Sequence, residues 1–285
     1  MERESLLVVL IALLAGSAII AGAGISTRVR ADARAVVQLS ERRLWWRIWR
    51  PLIPAALIAA ALCGWALAEP DPVPEHVPVT ILIASVPFVG LFARAMVRAG
   101  WSLVRDDGDP EIATVGVVKP RIVISPHLAR ALDERALEAA IEHERAHARR
   151  RDPARIWLAQ IATDLQWPWP QAQERFRCWI VALELARDEE ARATGADGLD
   201  LARAIIAVAR IRRGYPLATL AALTGEESVL KERIDRLIRP ELEPAAPAVS
   251  GWRPVWLLAG GIAASIALGL FFGEAAVAAL LRLAA

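Results

Sequence analysis

Hydrophobic residues fall into blocks along this chain, and the blocks have the length of membrane helices. Ser5 to Gly24 is a run of twenty residues without a charge, enough for a helix to cross a hydrocarbon core of about 30 Å. Pro51 to Ala68 is a second uncharged span, Val79 to Ala93 a shorter third with Pro87 inside it, and Pro254 to Gly273 a fourth. In the fourth, Gly261, Ser265, Gly269 and Gly273 recur every four residues. That places small side chains on one face, where another helix can approach closely; a Gly/Ala-rich composition explains the same spacing nearly as well.

The polar stretches between the blocks are unequal. Residues 25–50 carry seven arginines (Arg28, Arg30, Arg34, Arg42, Arg43, Arg47, Arg50) with Trp45, Trp46 and Trp49, which predicts a cytoplasmic loop ending in an interfacial aromatic belt. Glu69 to Pro78 is short, acidic and free of Lys and Arg, as expected for the outer face, whereas Arg94, Arg98 and Arg105 with Trp101 follow the third span. Both termini are thus expected outside, in a multi-pass protein of the cell's inner (plasma) membrane. The acidic Glu2 and Glu4 argue against a cleaved signal peptide at the first span.

Between the third and fourth spans lies a polar region whose apolar residues follow helical or alternating periods. Thr114 to Val118 and Arg121 to Ser125, split by Lys119-Pro120, predict a hairpin. Ser125-Pro126 opens a short helix, and Asp133 is placed to cap a long one ending near Asp152-Pro153. Helices then follow from Pro153 to about Gln166, Gln171 to Thr194, Leu199 to Arg212 and Glu226 to Leu237. The expected organisation is a mainly α integral membrane protein: an N-terminal membrane domain at 1–105 (spans 5–24, 51–68 and 79–93, loop 25–50), a cytoplasmic, mostly helical domain at 106–239, a Pro-rich linker at 240–253, the fourth span at 254–273 and a short extracytoplasmic tail at 274–285.

Composition agrees with that division. Apolar residues make up 55% of 285 positions, too many for a purely soluble protein, and the net charge is +2. Cys63 and Cys178 are too far apart in pattern to suggest a disulfide framework. The Arg-rich stretches are explained by membrane topology, and Arg149-Arg150-Arg151 by water or lipid headgroups, so no direct nucleic-acid binding is expected.

The candidate chemistry is His143-Glu144-Arg145-Ala146-His147, an H-E-x-x-H inside the predicted long helix. Residues four apart stack on a helix, so His143 and His147 can face one ion, with Glu144 beside the open coordination position. A closed structural zinc site would add Cys ligands, and neither Cys has the spacing. Downstream, Glu184 and Asp188 share a face of the next long helix. Glu184, inside the apolar run Trp179 to Ala186, needs a partner: a zinc ion held with the two histidines, or an arginine such as Arg149 or Arg187. Asp188 could orient a ligand imidazole through its second N–H. Asp152 reads most simply as a helix cap, with such an outer role as the alternative. Glu189 and Glu190 read as solvated charges, His76 and His127 as surface residues.

Several ordered pieces resemble a known family: Val115 to Ser125, His143 to Asp152, Glu184-Leu-Ala-Arg-Asp188 and Leu230 to Leu237. The chain is similar to the BlaR/MecR-type membrane-embedded zinc metallopeptidases, relatives of the Ste-type and heat-shock-type gluzincins. The resemblance implies a zincin-like domain between the third and fourth membrane helices and one zinc per chain. It implies His143, His147 and Glu184 as ligands, Glu144 as general base and Asp188 as outer support. Its function would be regulated proteolysis of a cytoplasmic or membrane-proximal protein, for instance a transcriptional repressor or the chain itself, with a separate sensor or activator subunit as a further partner. Cys often stands in the family where this chain has Arg187, and the family's β-lactam sensors carry a penicillin-binding domain after the last helix, which is not expected here. A membrane quality-control protease is the nearest alternative, and a non-catalytic signalling or scaffold subunit the alternative of another class. The oxyanion partner is left open between Tyr215 and an arginine.

Overall fold

In a computed structural model the described residues are 3–25, 40–68, 77–104, 111–212, 226–239 and 253–284. The linker expected at 240–253, together with His76 and Tyr215, lies almost wholly outside them. The first span runs Arg3–Leu10, widens to a π-turn over Ile11–Ala15 and resumes as Gly16–Ile25; together these segments are α1. Helix α2 (Glu41–Trp49) passes through a 3-10 turn, Arg50–Leu52, into α3 (Ile53–Ala68). Helix α4 is Val79–Val104.

The polar region begins with β1 (Ile112–Val115) and β2 (Arg121–Ile124), an antiparallel pair in which Thr114 faces Ile122. The turn between them needs Gly116, whose φ of +99° and close approach to the Lys119 carbonyl leave no room for a Cβ. Then come α5 (Pro126–Ala131), α6 (Glu134–Arg150), α7 (Asp152–Asp164), α8 (Pro170–Ala193), α9 (Gly198–Arg212) and α10 (Glu226–Ile238). Asp133 caps α6 as expected, its carboxylate accepting from the Ala136 N–H at 2.8 Å. The last helix is α11 (Arg253–Ala284).

Among the described residues four helices are long and apolar enough to cross a membrane, at Ser5–Ile25, Glu41–Ala68, Val79–Val104 and Leu257–Leu283. The uncharged spans read from the sequence are thus parts of longer helices. Val79–Val104 continues well past Ala93, and the residues expected as a tail after Gly273 are helical to Ala284. The longer fourth span carries a carboxylate: Glu274 accepts a 2.7 Å hydrogen bond from Trp65 Nε1 of α3, the kind of pairing that lets a polar group sit among apolar helices.

Helices α3 and α11 touch backbone to backbone. A Cβ on Gly64 would lie 2.2 Å from the Ile266 carbonyl oxygen, one on Gly269 1.8 Å from that of Ala61, and one on Gly273 2.4 Å from Trp65 Cβ. The small-residue face of the fourth span is therefore a packing surface, met by a glycine on the partner helix.

The tryptophans before the second span depart from expectation. They lie on a helix, not in a loop, and Trp45 and Trp49 turn toward the polar domain. With the buried Leu44 and Ile48 they pack on Trp179, Cys178 and Leu183 of α8 and Ala159 and Ala162 of α7. The physical reason is the amphipathic spacing of α2, which groups Leu44, Trp45, Ile48 and Trp49 on one stripe. A neighbouring anchor joins α4 to α7, where Arg98 Nε donates to both oxygens of buried Asp164 at 3.1 Å.

Candidate metal centre

Helix α6 sets the first two side chains. His143 and His147 lie one turn apart, both buried, with their Nε2 atoms 3.1 Å from each other. Helix α8 crosses α6 and delivers Glu184, whose carboxylate oxygens lie 3.6 Å from each of those nitrogens. One atom from each of the three residues falls within 4.8 Å of the others. Glu184 keeps 28% of its side chain exposed, so the cluster opens to solvent along that carboxylate.

The outer nitrogens are held as well. His147 Nδ1 is 2.9 Å from Asp152 Oδ2. His143 Nδ1 is 3.0 Å from Asp188 Oδ1, at ion-pair distance but without a well-formed hydrogen bond. Carboxylates on both Nδ1 atoms favour the proton there and aim the Nε2 lone pairs inward. Two lone pairs and a carboxylate facing one point repel unless a cation lies between them. This donor set, two imidazoles and one carboxylate, suits a divalent ion with an open position.

Without a metal a proton serves the same purpose. Burial disfavours the imidazolium of His143, but the Asp188 and Glu184 carboxylates outweigh it and raise the pKa to about 9. For Glu184, burial opposes ionisation, and the Arg233 guanidinium with the histidines overcomes it, holding the carboxyl far below its usual range. Asp188 is lowered against burial in the same way by Arg233 and His143. Asp152 is brought down to about 2, burial again being outweighed by His147 and Arg187.

Asp152 is not a helix cap. Arg151, between α6 and α7, takes the left-handed conformation at φ 53°, and this sharp break one residue early turns Asp152, the first residue of α7, back toward His147. The Asp152 carboxylate is fully buried and shared among His147, Arg187 Nε and Nη2, and Arg155 Nη1 at 2.8 Å. The arginine standing at the family's frequent Cys position thus clamps the carboxylate behind a histidine. Glu184 pairs with neither Arg149 nor Arg187. Its partner is Arg233 of α10, whose Nη1 is 2.9 Å away and whose Nε and Nη2 grip Asp188 at 2.7 and 2.8 Å.

Glu144 is buried beside the cluster, and β1 reaches it: Thr114 Oγ1 donates at 2.8 Å to Glu144 Oε2, with the Glu144 carbonyl oxygen equally near. Of the remaining candidates, His127 is exposed. Glu190 is no free charge but bonds Arg149, Arg150 and Arg187, and Glu189 pairs with Arg236. Sequence reasoning missed Arg233, Arg155 and Glu41. Arg233 lies in the quoted Leu230 to Leu237 segment, but only the docking of α10 shows what it grips.

Four membrane-length helices among the described residues and a polar helical domain carrying two histidines and a carboxylate at one point define a multi-pass chain with a candidate metal centre. Residues 110–237, between the third and fourth membrane helices, match the family model of the BlaR1 peptidase M56, and the match supports a membrane-associated metallopeptidase of the BlaR/MecR type. Comparison with curated proteins and with solved structures gave no match.

Proposed function

We propose that the chain is a zinc-dependent endopeptidase that hydrolyses a peptide bond of a cytoplasmic or membrane-proximal protein. The observation that carries this reading is the convergence of His143 Nε2, His147 Nε2 and the Glu184 carboxylate within 4.8 Å, with a carboxylate behind each imidazole. Zinc bound there would supply a Lewis acid for the scissile carbonyl and a water of pKa near about 7. Glu144, outside the ligand set, takes a proton from the attacking water. As the carbon–oxygen bond forms and the carbon–nitrogen bond breaks, it returns that proton to the leaving amine. Thr114 holds the Glu144 carboxylate in place for this transfer. The outer edges of the β1–β2 pair offer main-chain groups to an extended substrate, which would grip a peptide with little regard for its sequence.

The Arg distribution supports a cytoplasmic peptidase domain, with both termini outside. The family supports a regulatory role, in which the substrate is a repressor or the chain itself and a separate sensor or activator subunit supplies the signal.

The test is elemental analysis of the detergent-purified chain beside His147→Ala, Glu184→Ala and Glu144→Gln. About one zinc in the wild type, lost in the first two variants and kept in Glu144→Gln, is expected, together with loss of peptide cleavage in Glu144→Gln. A folded wild type that takes up no zinc sinks the proposal and favours the scaffold; cleavage surviving in Glu144→Gln removes the base assignment.

A further inference from the structure

The metal centre is joined to the second membrane span by one guanidinium. Arg155, one turn after Asp152 on α7, donates from Nη1 to Asp152 Oδ1 at 2.8 Å and from Nη2 to Glu41 Oε1. Its carbon centre lies 5.0 Å from the Trp45 ring and 5.6 Å from the Trp179 ring, so its flat faces are also occupied. Glu41 Oε1 accepts from Trp179 Nε1 at 2.7 Å as well. Glu41 is the first residue of α2, and α2 continues through Arg50–Leu52 into α3. A contiguous polar path therefore runs Glu41, Arg155, Asp152, His147.

We infer that Glu41 and Arg155 are positioning residues that make the His147 imidazole, and so the metal affinity of the centre, depend on the seating of the membrane helix α2–α3. The inference rests on the metallopeptidase reading and adds a means of regulating that site. Asp152 lies between two guanidinium groups with different anchors. Arg187 comes from α8, the helix that carries Glu184, and moves with the site. Arg155 shares α7 with Asp152, but its guanidinium is tied to Glu41 and so answers to the position of α2. A shift of α2 that draws Arg155 away leaves Asp152 to Arg187 alone and turns the carboxylate that orients His147. Because α3 is locked to α11 by the glycine contacts at Gly64, Gly269 and Gly273, the second and fourth spans move as one body, and a displacement of either reaches Glu41. The Arg98–Asp164 pair ties α4 to the far end of α7, with no polar path to a histidine among the described residues, and so separates ordinary anchoring from coupling.

The test is Co2+ binding by chelator competition and visible absorption on the full chain in lipid nanodiscs. The proteins are wild type, Glu41→Gln, Arg155→Met, Arg155→Lys, the double variant Glu41→Gln/Arg155→Met, and Arg98→Gln. Glu41→Gln retains an oxygen for the Trp179 N–H. It and Arg155→Met are each expected to weaken Co2+ binding by about tenfold or more, the effect typical of outer-shell partners, and to change the absorption bands of bound Co2+. The double variant should bind no more weakly than Arg155→Met, since both cut one path. Arg155→Lys, which keeps the charge but reaches one partner, should fall between wild type and Arg155→Met, and it decides the matter should Arg155→Met not fold. Arg98→Gln should bind as wild type does. Unchanged affinity in Glu41→Gln and Arg155→Lys, additive losses, or an equal loss in Arg98→Gln overturns the coupling while the metallopeptidase stands. No Co2+ binding in the wild type overturns both.

Discussion

His143 carries the clearest consequence at the scale of single residues. With its pKa raised to about 9 by Asp188 and Glu184 against the effect of burial, it holds a proton at neutral pH that a metal must displace. Metal affinity should therefore rise about tenfold per pH unit from pH 7 to about 9 and then level off, with roughly one proton released per ion bound at pH 7 to 8. The same shift bears on the metal-free fold. A histidine raised above its unfolded value contributes stability that is fully present below about pH 6.5 and is lost as pH rises through about 9. Chelator-competition titrations at pH 7, 8, 9 and 10 read the first effect directly. A flat profile over pH 7 to 9 would show that the carboxylates do not hold that proton.

At the scale of elements, the contact between α3 and α11 is the most exposed to a single methyl group. Gly269→Ala puts a Cβ where the Ala61 carbonyl already stands, and backbone cannot step aside as a flexible side chain can. The two helices must separate, at a cost of about 1–3 kcal/mol, and the thermal midpoint in detergent should fall. Gly260→Ala, on the same helix but with nothing within 4 Å, should leave it unchanged, and equal midpoints for the two variants would refute the contact. Elements are also where the sequence was most and least legible. Local periodicity sufficed wherever one helix carries a whole relationship: His143 above His147, Glu184 above Asp188, Asp133 before α6. It failed where the relationship is set between helices. Nothing in the spacing shows that Arg233 grips Asp188, since that depends on how α10 docks. Asp152 looked like a cap because the left-handed turn at Arg151, an unusual conformation for a residue with a side chain, cannot be read from a run of arginines. The belt of tryptophans fits an interface by composition, and only the packing of α2 reveals that two of them face the peptidase domain.

On the scale of the whole molecule, that packing bears on how far the peptidase domain extends. The expected domain, 106–239, omits α2, yet Leu44 and Ile48 are 1% exposed in a core completed by Trp179 and Leu183, Glu41 accepts the Trp179 N–H, and Gln166 donates to the Ile48 carbonyl at 3.0 Å. Burying Leu44 and Ile48 contributes about 3–6 kcal/mol, a large part of the roughly 5–15 kcal/mol that holds a typical domain folded. An excised 106–239 fragment should therefore lack a cooperative thermal transition and bind a hydrophobic dye, with its near-UV tryptophan dichroism lost. Fusing residues 40–52 to the fragment through a flexible linker should restore the transition and the dichroism, whereas a version carrying Leu44→Asp and Ile48→Asp should not. If the bare fragment melted cooperatively with ordered tryptophans, α2 would be a passenger on the domain, and the path from Glu41 to His147 would lose the rigid seat it requires. The peptidase unit is thus expected to include the polar end of its own second span, and a signal that tilts that span would act on the core of the domain as well as on its metal centre.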